Sequence, residues 1–352
     1  MTKDTIRTNI RNGKLLATNL NKASLIPSSS SGSTGEPLQF YKTKDSYSLN
    51  IAANLRGWYN MGYRLGDSYV KLSVNPRSSR IKKIQDRVNS CFYFSSEAVT
   101  EASMREFVEL LVKNRPKFIR GYPSTLSLLG KYLASSGADI PELIAVNTTG
   151  EILFPEMRQI IERAFCCPVF DSYSGEGGAN MFEFSKGKYF VSNEYAITEV
   201  IDDQGRAITN GEGEIVTTDL WNYANPFIRY AVKDKVVIDD NESECCYLRV
   251  SRVLGRSVDM LELSNGRTMI VHFFTGFFEW EKSVSQFQVI QTAPNVVEIK
   301  LVVNDYFNSR EETKIHNRVK EYVGEGVALT LSLVDDIPVS KNGKRRFMFK
   351  KF

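Results

Sequence analysis

The sequence has few of the residues on which metal binding, disulfide formation and nucleophilic catalysis depend. Of its 352 residues, two are histidine (His272 and His316) and five are cysteine. No C-x-x-C pair occurs, and an odd number of cysteines fits a disulfide framework poorly, so we expect reduced, structural thiols. With two histidines, a zinc site or a Ser–His–Asp triad has few ligands or bases from which to form.

Long apolar runs are also missing. The chain is 42% hydrophobic and 24% charged, which is ordinary for a globular protein. No apolar run approaches the roughly 20 residues that a membrane-spanning helix needs. The first residues, MTKDTIRTNIRNG, contain no apolar segment typical of a signal peptide. These features predict a cytoplasmic protein without an integral membrane segment.

Positive charge is concentrated at the C-terminal end. The net charge is +4, and the terminal stretch KNGKRRFMFKKF carries six Lys or Arg and no Asp or Glu, so the rest of the chain is slightly acidic. A nucleic-acid-binding protein is expected to have a broader basic face, and we therefore predict no nucleic-acid partner. Taken alone, the tail is most simply interpreted as a solvated terminal segment.

Strand and helix patterns alternate in the middle of the chain. The stretches that predict helices are 102–114, 124–137 and 154–165, and those that predict strands are 117–122, 142–151 and 168–178. The first helix has a capping-box pattern at Ser103 and Glu106, and Gly137 is a stop signal for the second. This β-α-β-α-β order predicts a parallel sheet, whose ligands bind beyond the carboxyl ends of its strands. The polar loops RGYPS, NTTGE and SYSGEGG would lie there.

The remaining chain changes character twice. From about residue 197, short β-type runs separated by turn residues predict a β-rich subdomain. The last segment, of about ninety residues, combines strand and helix patterns and is long enough for a small unit of its own. We therefore expect an α/β fold, with a large N-terminal domain of mixed and parallel sheets covered by helices plus a β-rich subdomain, and a small α+β C-terminal domain.

A hydroxyl-rich stretch, SSSSGSTGEP, joins two short apolar runs near the start of the chain. Gly32 and Gly35 permit positive φ, so successive backbone N–H groups can converge on one anion, while Ser31, Ser33 and Thr34 add hydroxyl donors. The spacing is not that of a Walker A loop. The residues alone favour a phosphate-binding loop and a flexible linker about equally.

Six stretches resemble motifs of the adenylate-forming superfamily of acyl-CoA synthetases and related ligases, in the same order. They are SSGSTGEP, TTGE, DSYSGEGG, GEIVTTDLWNYANPFIRYAVKD, GRSVDM and PVSKNGKRRF. RGYPSTL and QFQVIQ narrow the resemblance to the phenylacetate–CoA ligase-like branch, notably its capsule-biosynthesis members. The resemblance covers nearly the whole chain. It implies an AMP-binding domain over residues 1–258 and a mobile lid domain over 259–352.

The resemblance also implies residue roles. The nucleotide-binding residues would be Ser31, Gly32, Ser33, Thr34 and Gly35 in the phosphate loop, Gly150 and Glu151 in the adenine-binding loop, and Tyr173, Asp234 and Arg256. Asp234 would accept hydrogen bonds from both ribose hydroxyls of ATP, and Glu176 would hold Mg²⁺, a cation that prefers oxygen ligands. Lys344 would be catalytic, stabilising charge as the acid's carboxylate attacks the α-phosphate and pyrophosphate leaves.

Four positions depart from the family pattern. Glu36 stands where lysine is common after the phosphate loop, and Lys233 stands where glycine usually precedes the ribose aspartate. The aromatic-to-glutamate motif, YSGE, is one residue short and lacks the glycine after Tyr173. The hinge has one acidic residue, Asp259, where two are frequent. A carboxylate beside a triphosphate is unfavourable, so we expect Glu36 to point away from the nucleotide.

Two functions from different classes remain. The first is ATP-dependent adenylation of a carboxylic acid, followed by acyl transfer to CoA or to an amine or hydroxyl acceptor, with rotation of the last domain about residues 257–259 between the steps. The second is a degenerate relative that binds nucleotide or an acyl group without turnover. The family branch implies a role in capsule or surface-polysaccharide biosynthesis. The acid itself is not readable, because the aromatic group Trp58, Tyr59 and Tyr63 is better interpreted as core packing than as a substrate wall.

Overall fold

The computed structural model describes residues 1–29, 38–73, 79–95, 101–239, 247–256, 260–263, 268–270, 274, 277–278, 281–338 and 346–352, without the side chains of residues 29, 176, 256, 260–262 and 268–270. The helices of these ranges are α1 (Lys3–Arg11), α2 (Lys44–Asn60), α3 (Arg80–Val88), α4 (Glu101–Asn114), α5 (Pro123–Ser136), α6 (Pro155–Phe165) and α7 (Ser309–Val323). None of the helices in these ranges is long and apolar enough to cross a bilayer.

The strands follow in chain order. They are β1 (Ile26–Ser29), β2 (Gln39–Lys42), β3 (Tyr69–Ser73), β4 (Cys91–Ser95), β5 (Phe118–Gly121), β6 (Ala145–Thr149), β7 (Val169–Ser174), β8 (Asn180–Ser185), β9 (Lys188–Val191), β10 (Ala196–Ile201), β11 (Gly211–Asp219), β12 (Tyr230–Ile238), β13 (Arg249–Val250), β14 (Arg252–Arg256), β15 (Met260–Glu262), β16 (Thr268–Ile270), β17 (Val284–Ala293), β18 (Val296–Val303), β19 (Ala328–Leu333) and β20 (Met348–Lys350).

The largest sheet has the order β13-β9-β8-β7-β6-β5-β3-β4. Strands β3 to β7 run parallel, whereas β8, β9 and β13 are antiparallel. The predicted β-α-β-α-β order and the predicted α/β fold class are therefore confirmed. Because β5, β6 and β7 are parallel neighbours, the three polar loops that follow them begin at the same edge of the sheet.

Helices α5 and α6 begin and end within one residue of their predicted bounds. Helices α5 and α6 both have proline at the first helical position, where the missing N–H has no intrahelical partner to lose. Helix α5 ends at Gly137, which has φ +65° and whose N–H bonds the Leu133 carbonyl. The predicted capping box of α4 is wrong, because the helix starts at Glu101 and Ser103 lies inside it.

The aromatic group at the C-terminal end of α2 and just beyond it is divided between the core and the surface. Trp58 and Tyr63 are buried and pack edge-to-face, with ring centres 5.0 Å apart, and Tyr63 contacts Phe118 of β5 in the same manner. Their interpretation as core residues is confirmed. Tyr59 is 41% exposed and lies outside that core. The described cysteines Cys91, Cys166 and Cys167 are free thiols, as predicted.

The β-rich subdomain is the antiparallel sheet β10-β11-β12-β14. Its buried side chains share one hydrophobic cluster with α1, with the β1–β2 hairpin and with β8 and β9. Within that cluster Phe40 of the hairpin packs edge-to-face on Phe227, at 5.2 Å between ring centres. The hairpin that flanks the predicted phosphate loop is thus fixed to the body of the large domain.

The C-terminal segment forms the sheet β19-β18-β17-β20 with α7 packed against it. Strand β20 pairs in parallel with β17, and its Met348 is buried, so this part of the tail is not the solvated segment that the charge pattern favoured. The buried cluster of this segment also contains Phe154 and Met157, at the start of α6. The large domain and the C-terminal segment therefore share a continuous apolar core.

Candidate active site

The predicted adenine-binding loop begins where β6 ends. Gly150 has φ +82°, a conformation that favours glycine, and it turns the chain at the sheet edge. The next residue, Glu151, accepts a hydrogen bond through Oε2 from the backbone N–H of Ser124, at 3.1 Å. Because Ser124 lies in the first turn of α5, this carboxylate stabilises the positive end of that helix. The loops after β5 and β6 are thus joined directly.

Tyr173 and Asp234 meet across two sheets. The Tyr173 hydroxyl, at the end of β7, donates to Oδ2 of Asp234 on β12, and the O···O distance is 2.6 Å. Asp234 is in register with Arg256 on the neighbouring strand β14. The structure therefore brings together the backbones of three predicted nucleotide-binding residues, and it joins two of them by a charge-assisted hydrogen bond.

Lys233, which stands where the family pattern has glycine, has a backbone conformation that favours glycine. Its φ is +71°, which is rare for a residue with a side chain. The side chain is 62% exposed, and its Nζ lies 3.6 Å from a carboxylate oxygen of Glu214. Lys233 lies inside β12, where the register with β11 shifts between Glu214 and Val216, so its strained backbone belongs to an irregularity of this strand next to Asp234.

Two asparagines that the sequence analysis did not single out hold the β1–β2 hairpin. Oδ1 of Asn225 accepts from the backbone N–H of Tyr41 at 2.6 Å, and Nδ2 of Asn222 donates to the Tyr41 carbonyl at 3.1 Å. Asn225 also donates to the Leu15 carbonyl at 2.9 Å. Both asparagines are buried. The sequence shows these residues only as two amide side chains in the loop WNYANP. Loop side chains are usually exposed, so their buried position could not be inferred.

Several predicted residues lie outside the described ones. They are the phosphate-loop residues Ser31, Gly32, Ser33, Thr34 and Gly35, together with Glu36, Asp259 and Lys344. Of Glu176 and Arg256 the backbone alone is described. The turn Glu176–Gly178 is held by the Thr217 hydroxyl, which donates to the Gly177 carbonyl at 3.1 Å. Among the described residues, no group of three or more His, Cys, Asp or Glu side chains could hold a metal ion.

A buried charged network lies beneath these loops, and the sequence analysis missed it. The Glu183 side chain on β8 is fully buried, and Nη2 of Arg158 on α6 lies 2.7 and 2.6 Å from its two oxygens. The backbone N–H groups of Asp171 and Gly187 also donate to this carboxylate, the first at 2.8 Å. Nη1 of Arg158 donates to the Val169 carbonyl at 2.6 Å. The ion pair is therefore well satisfied by hydrogen bonds.

Asp171 connects this network to the predicted adenine-binding loop. Its carboxylate accepts from the hydroxyls of Thr148 at 2.6 Å and Tyr189 at 2.8 Å. Burial raises the pKa of Asp171 to about 6, although the two hydroxyls favour its charged form. Thr148 precedes Thr149 and Gly150, and Asp171 precedes Tyr173 on β7. The network thus fixes the ends of β6 and β7, from which the candidate site projects.

A cation also lies near this edge of the sheet. Arg120 is the last residue but one of β5 and is in register with Asn147 of β6. Its guanidinium lies 5.3 Å from the centre of the Trp58 ring, and burial lowers its pKa. No ion pair to Arg120 occurs within the described part of the chain. The Arg120 guanidinium therefore packs on the aromatic core beneath this part of the sheet.

Known proteins resemble the chain over its full length. Residues 262–351 match the family of CapK C-terminal domains. Protein CapK of Staphylococcus aureus is 25% identical over 362 aligned residues, which span 99% of this chain and 78% of CapK. The amide bond synthetase McbA of Marinactinospora thermotolerans is 15% identical and has a TM-score of 0.60, with 92% of this chain and 68% of McbA covered.

A 2-hydroxyisobutyryl-CoA ligase has a higher TM-score, and the value differs between its solved structures. Its postadenylation structure in complex with R3-HIB-AMP has a TM-score of 0.77 at 17% identity, covering 100% of this chain and 79% of the ligase. The same ligase in the thioesterification state has a TM-score of 0.61. These likenesses confirm the predicted resemblance at the level of fold: the chain has the fold of the adenylate-forming acyl-CoA ligases, with a C-terminal region of the CapK type.

Proposed function

We propose that the chain is an ATP-dependent, AMP-forming acid ligase, which activates a carboxylic acid as its acyl-AMP and transfers the acyl group to CoA. The observation that carries the proposal is the hydrogen bond between Tyr173 and Asp234 at the edge of the parallel sheet. This bond presents one carboxylate, already oriented by a phenol, beside the loops that follow β6 and β7. A preoriented carboxylate suits a vicinal diol such as the ribose of ATP.

The proposed reaction has two steps. An oxygen of the acid attacks the α-phosphorus of ATP, and the bond to pyrophosphate breaks. The CoA thiol then attacks the acyl carbon, and AMP leaves. Asp234 would bind the ribose, the phosphate loop at residues 31–35 would bind the phosphates, and Lys344 would stabilise the charge that develops as pyrophosphate departs. Residues 1–258 and 259–352 would rotate about residues 257–259 between the steps.

The described residues are compatible with Mg²⁺ binding together with ATP. The ion is usually held by one or two carboxylates together with substrate phosphates and water, so it does not require a preformed cluster of acidic side chains. Glu176 follows β7 in a turn anchored by Thr217 and would supply that carboxylate. Bound there, Mg²⁺ would neutralise charge on the phosphates of ATP.

The cellular setting is proposed from the chemistry and from the relatives. ATP and CoA are cytoplasmic substrates, so we place the reaction in the cytoplasm. The similarity to CapK supports a role in surface-polysaccharide biosynthesis. An amine or hydroxyl acceptor in place of CoA is the second candidate, which the shared fold with the amide bond synthetase McbA favours.

The test is pyrophosphate release from ATP and Mg²⁺ with a panel of carboxylic acids, followed by transfer assays with CoA and with amines. Asp234→Ala should abolish release, whereas the matched variant Asp239→Ala should retain it. Asp239 lies just beyond the same strand, is exposed, and accepts from the Ser251 hydroxyl at 3.0 Å. Clear ATP binding without release for any acid would contradict the proposal and favour a binding protein without turnover.

A further inference from the structure

Helix α3 exposes its apolar face to solvent. Ile81, Ile84 and Val88 are 69%, 64% and 76% exposed, and no residue of α3 is buried. Most exposed helices of globular proteins turn their apolar stripe toward the core and their polar face toward water. Here three large aliphatic side chains face outward from a helix of nine residues. Three large aliphatic side chains exposed side by side on one helix are a candidate interaction surface.

The charges of α3 are arranged around that stripe. At about 100° per residue, the three aliphatic side chains fall within a sector of about 60°. Arg80 and Arg87 border it on one side, Lys83 follows them, and Lys82 lies on the other side. All four cations are exposed. The one acid of the helix, Asp86, lies nearly opposite the stripe and is partly buried.

The aliphatic stripe and the four cations together limit the kinds of partner that α3 can bind. Duplex nucleic acid would match the cations through its phosphates but would offer nothing to the aliphatic stripe. An anionic phospholipid surface matches both, because its headgroups attract Lys and Arg while the acyl boundary beneath them takes up aliphatic side chains. The acid lies on the side away from such a surface, where it causes no repulsion.

We propose that α3 docks the protein on an anionic membrane surface, with the helix lying in the plane of the interface. Three aliphatic residues and four cations are few compared with a stable anchor, so binding is reversible and depends on ionic strength. The site lies outside the candidate active site and involves none of its residues.

The experiment is co-sedimentation of the full chain with vesicles of phosphatidylcholine alone and of phosphatidylcholine mixed with phosphatidylglycerol. Binding to the anionic vesicles is expected, and it should fall as salt is raised. Lys83→Gln with Arg87→Gln should lower binding by about five-fold for each cation removed. Arg310→Gln with Arg318→Gln makes the same change of charge on an exposed face of α7 and should leave binding unchanged.

The apolar contribution is tested separately. Ile81→Gln with Ile84→Gln should also release the protein from anionic vesicles. Leu65→Gln with Ile228→Gln, two aliphatic positions elsewhere that are 69% and 56% exposed, should not. Circular dichroism checks that each variant is folded. Absence of binding to anionic vesicles would overturn the proposal. So would equal losses in the control variants, or binding of α3 to duplex DNA or to a second copy of the chain in preference to lipid.

Discussion

Glu183→Gln should destabilise the protein severely, although it changes one atom. The Glu183 carboxylate is fully buried and accepts from Arg158 and from the backbone N–H groups of Asp171 and Gly187. Glutamine would turn an NH₂ group toward donors and leave the Arg158 charge, 8% exposed, without its main partner. The next carboxylate, on Glu162, lies 3.6 Å from Arg158 and is 27% exposed.

The expected loss is about 3–5 kcal/mol, the usual cost of breaking a buried ion pair on one side. A domain of ordinary stability has about 5–15 kcal/mol in total, so the variant should unfold at a much lower urea concentration. Glu101→Gln is the control. Glu101 pairs with Arg105, but their side chains are 67% and 65% exposed, so its loss should cost about 0–1 kcal/mol.

Equilibrium unfolding in urea measures both variants, and a double-variant cycle shows where the cost arises. In an Arg158→Met background the substitution Glu183→Gln no longer leaves a buried cation, so its cost should fall by more than about 1 kcal/mol. A loss below about 1 kcal/mol for Glu183→Gln in the native background, similar to that of Glu101→Gln, would refute the account of this network as a desolvated ion pair.

Four further predictions follow from the site. Because burial raises the folded-state pKa of Asp171 to about 6, above an unfolded value of about 3.9, the folded state holds this proton more tightly. Stability should therefore fall as pH rises from about 4 to 6, and Asp171→Asn should flatten that fall in urea midpoints measured across this range; an unchanged slope contradicts the assignment. Lys233→Gly should stabilise the protein by up to about 1 kcal/mol in the same assay, because φ at this position is +71°, while Lys235→Gly on the same strand should destabilise it. Asp234→Ala should weaken ATP binding, measured by calorimetry, by about 2–4 kcal/mol, and unchanged affinity in a folded variant would remove Asp234 from the site. Lys344→Ala should lower acyl-AMP formation by about 10²-fold or more and leave ATP affinity nearly constant, and intact adenylation would assign the lysine to a solvated tail.

The elements that could be predicted from the sequence are those whose signal is local. Periodic apolar residues and terminal Pro and Gly residues located α4, α5 and α6 to within a residue or two. The order of strands and helices then placed three loops at one sheet edge, since parallel strands end together. The prediction of Ser103 as the cap of α4 was wrong, because a capping pattern does not decide between alternative first turns. The helix begins at Glu101, two residues before Ser103.

The contacts that determine the site depend on tertiary structure. Arg158, Asp171 and Glu183 are each unremarkable in sequence, and their pairing appears once α6, β7 and β8 are packed together. The same holds for Asn222 and Asn225, whose partners lie about 180 and 210 residues away. The backbone of Lys233 could be inferred neither from its residue type nor from spacing, because lysine rarely adopts positive φ.

The apolar core that the large domain shares with the C-terminal segment limits how many molecules can adopt the rotated orientation of the proposed mechanism. Phe154 and Met157 are 6% and 0% exposed in the same cluster as Phe278 and Phe287. The proposed domain rotation must draw these two side chains out of that cluster, and each fully buried side chain of this size contributes about 1.5–3 kcal/mol. Unless new contacts replace the old ones, the rotated orientation would be occupied by about one molecule in a hundred or fewer at rest. If the proposed rotation occurs, the acyl intermediate or the acceptor must supply the missing free energy by binding the rotated orientation more tightly.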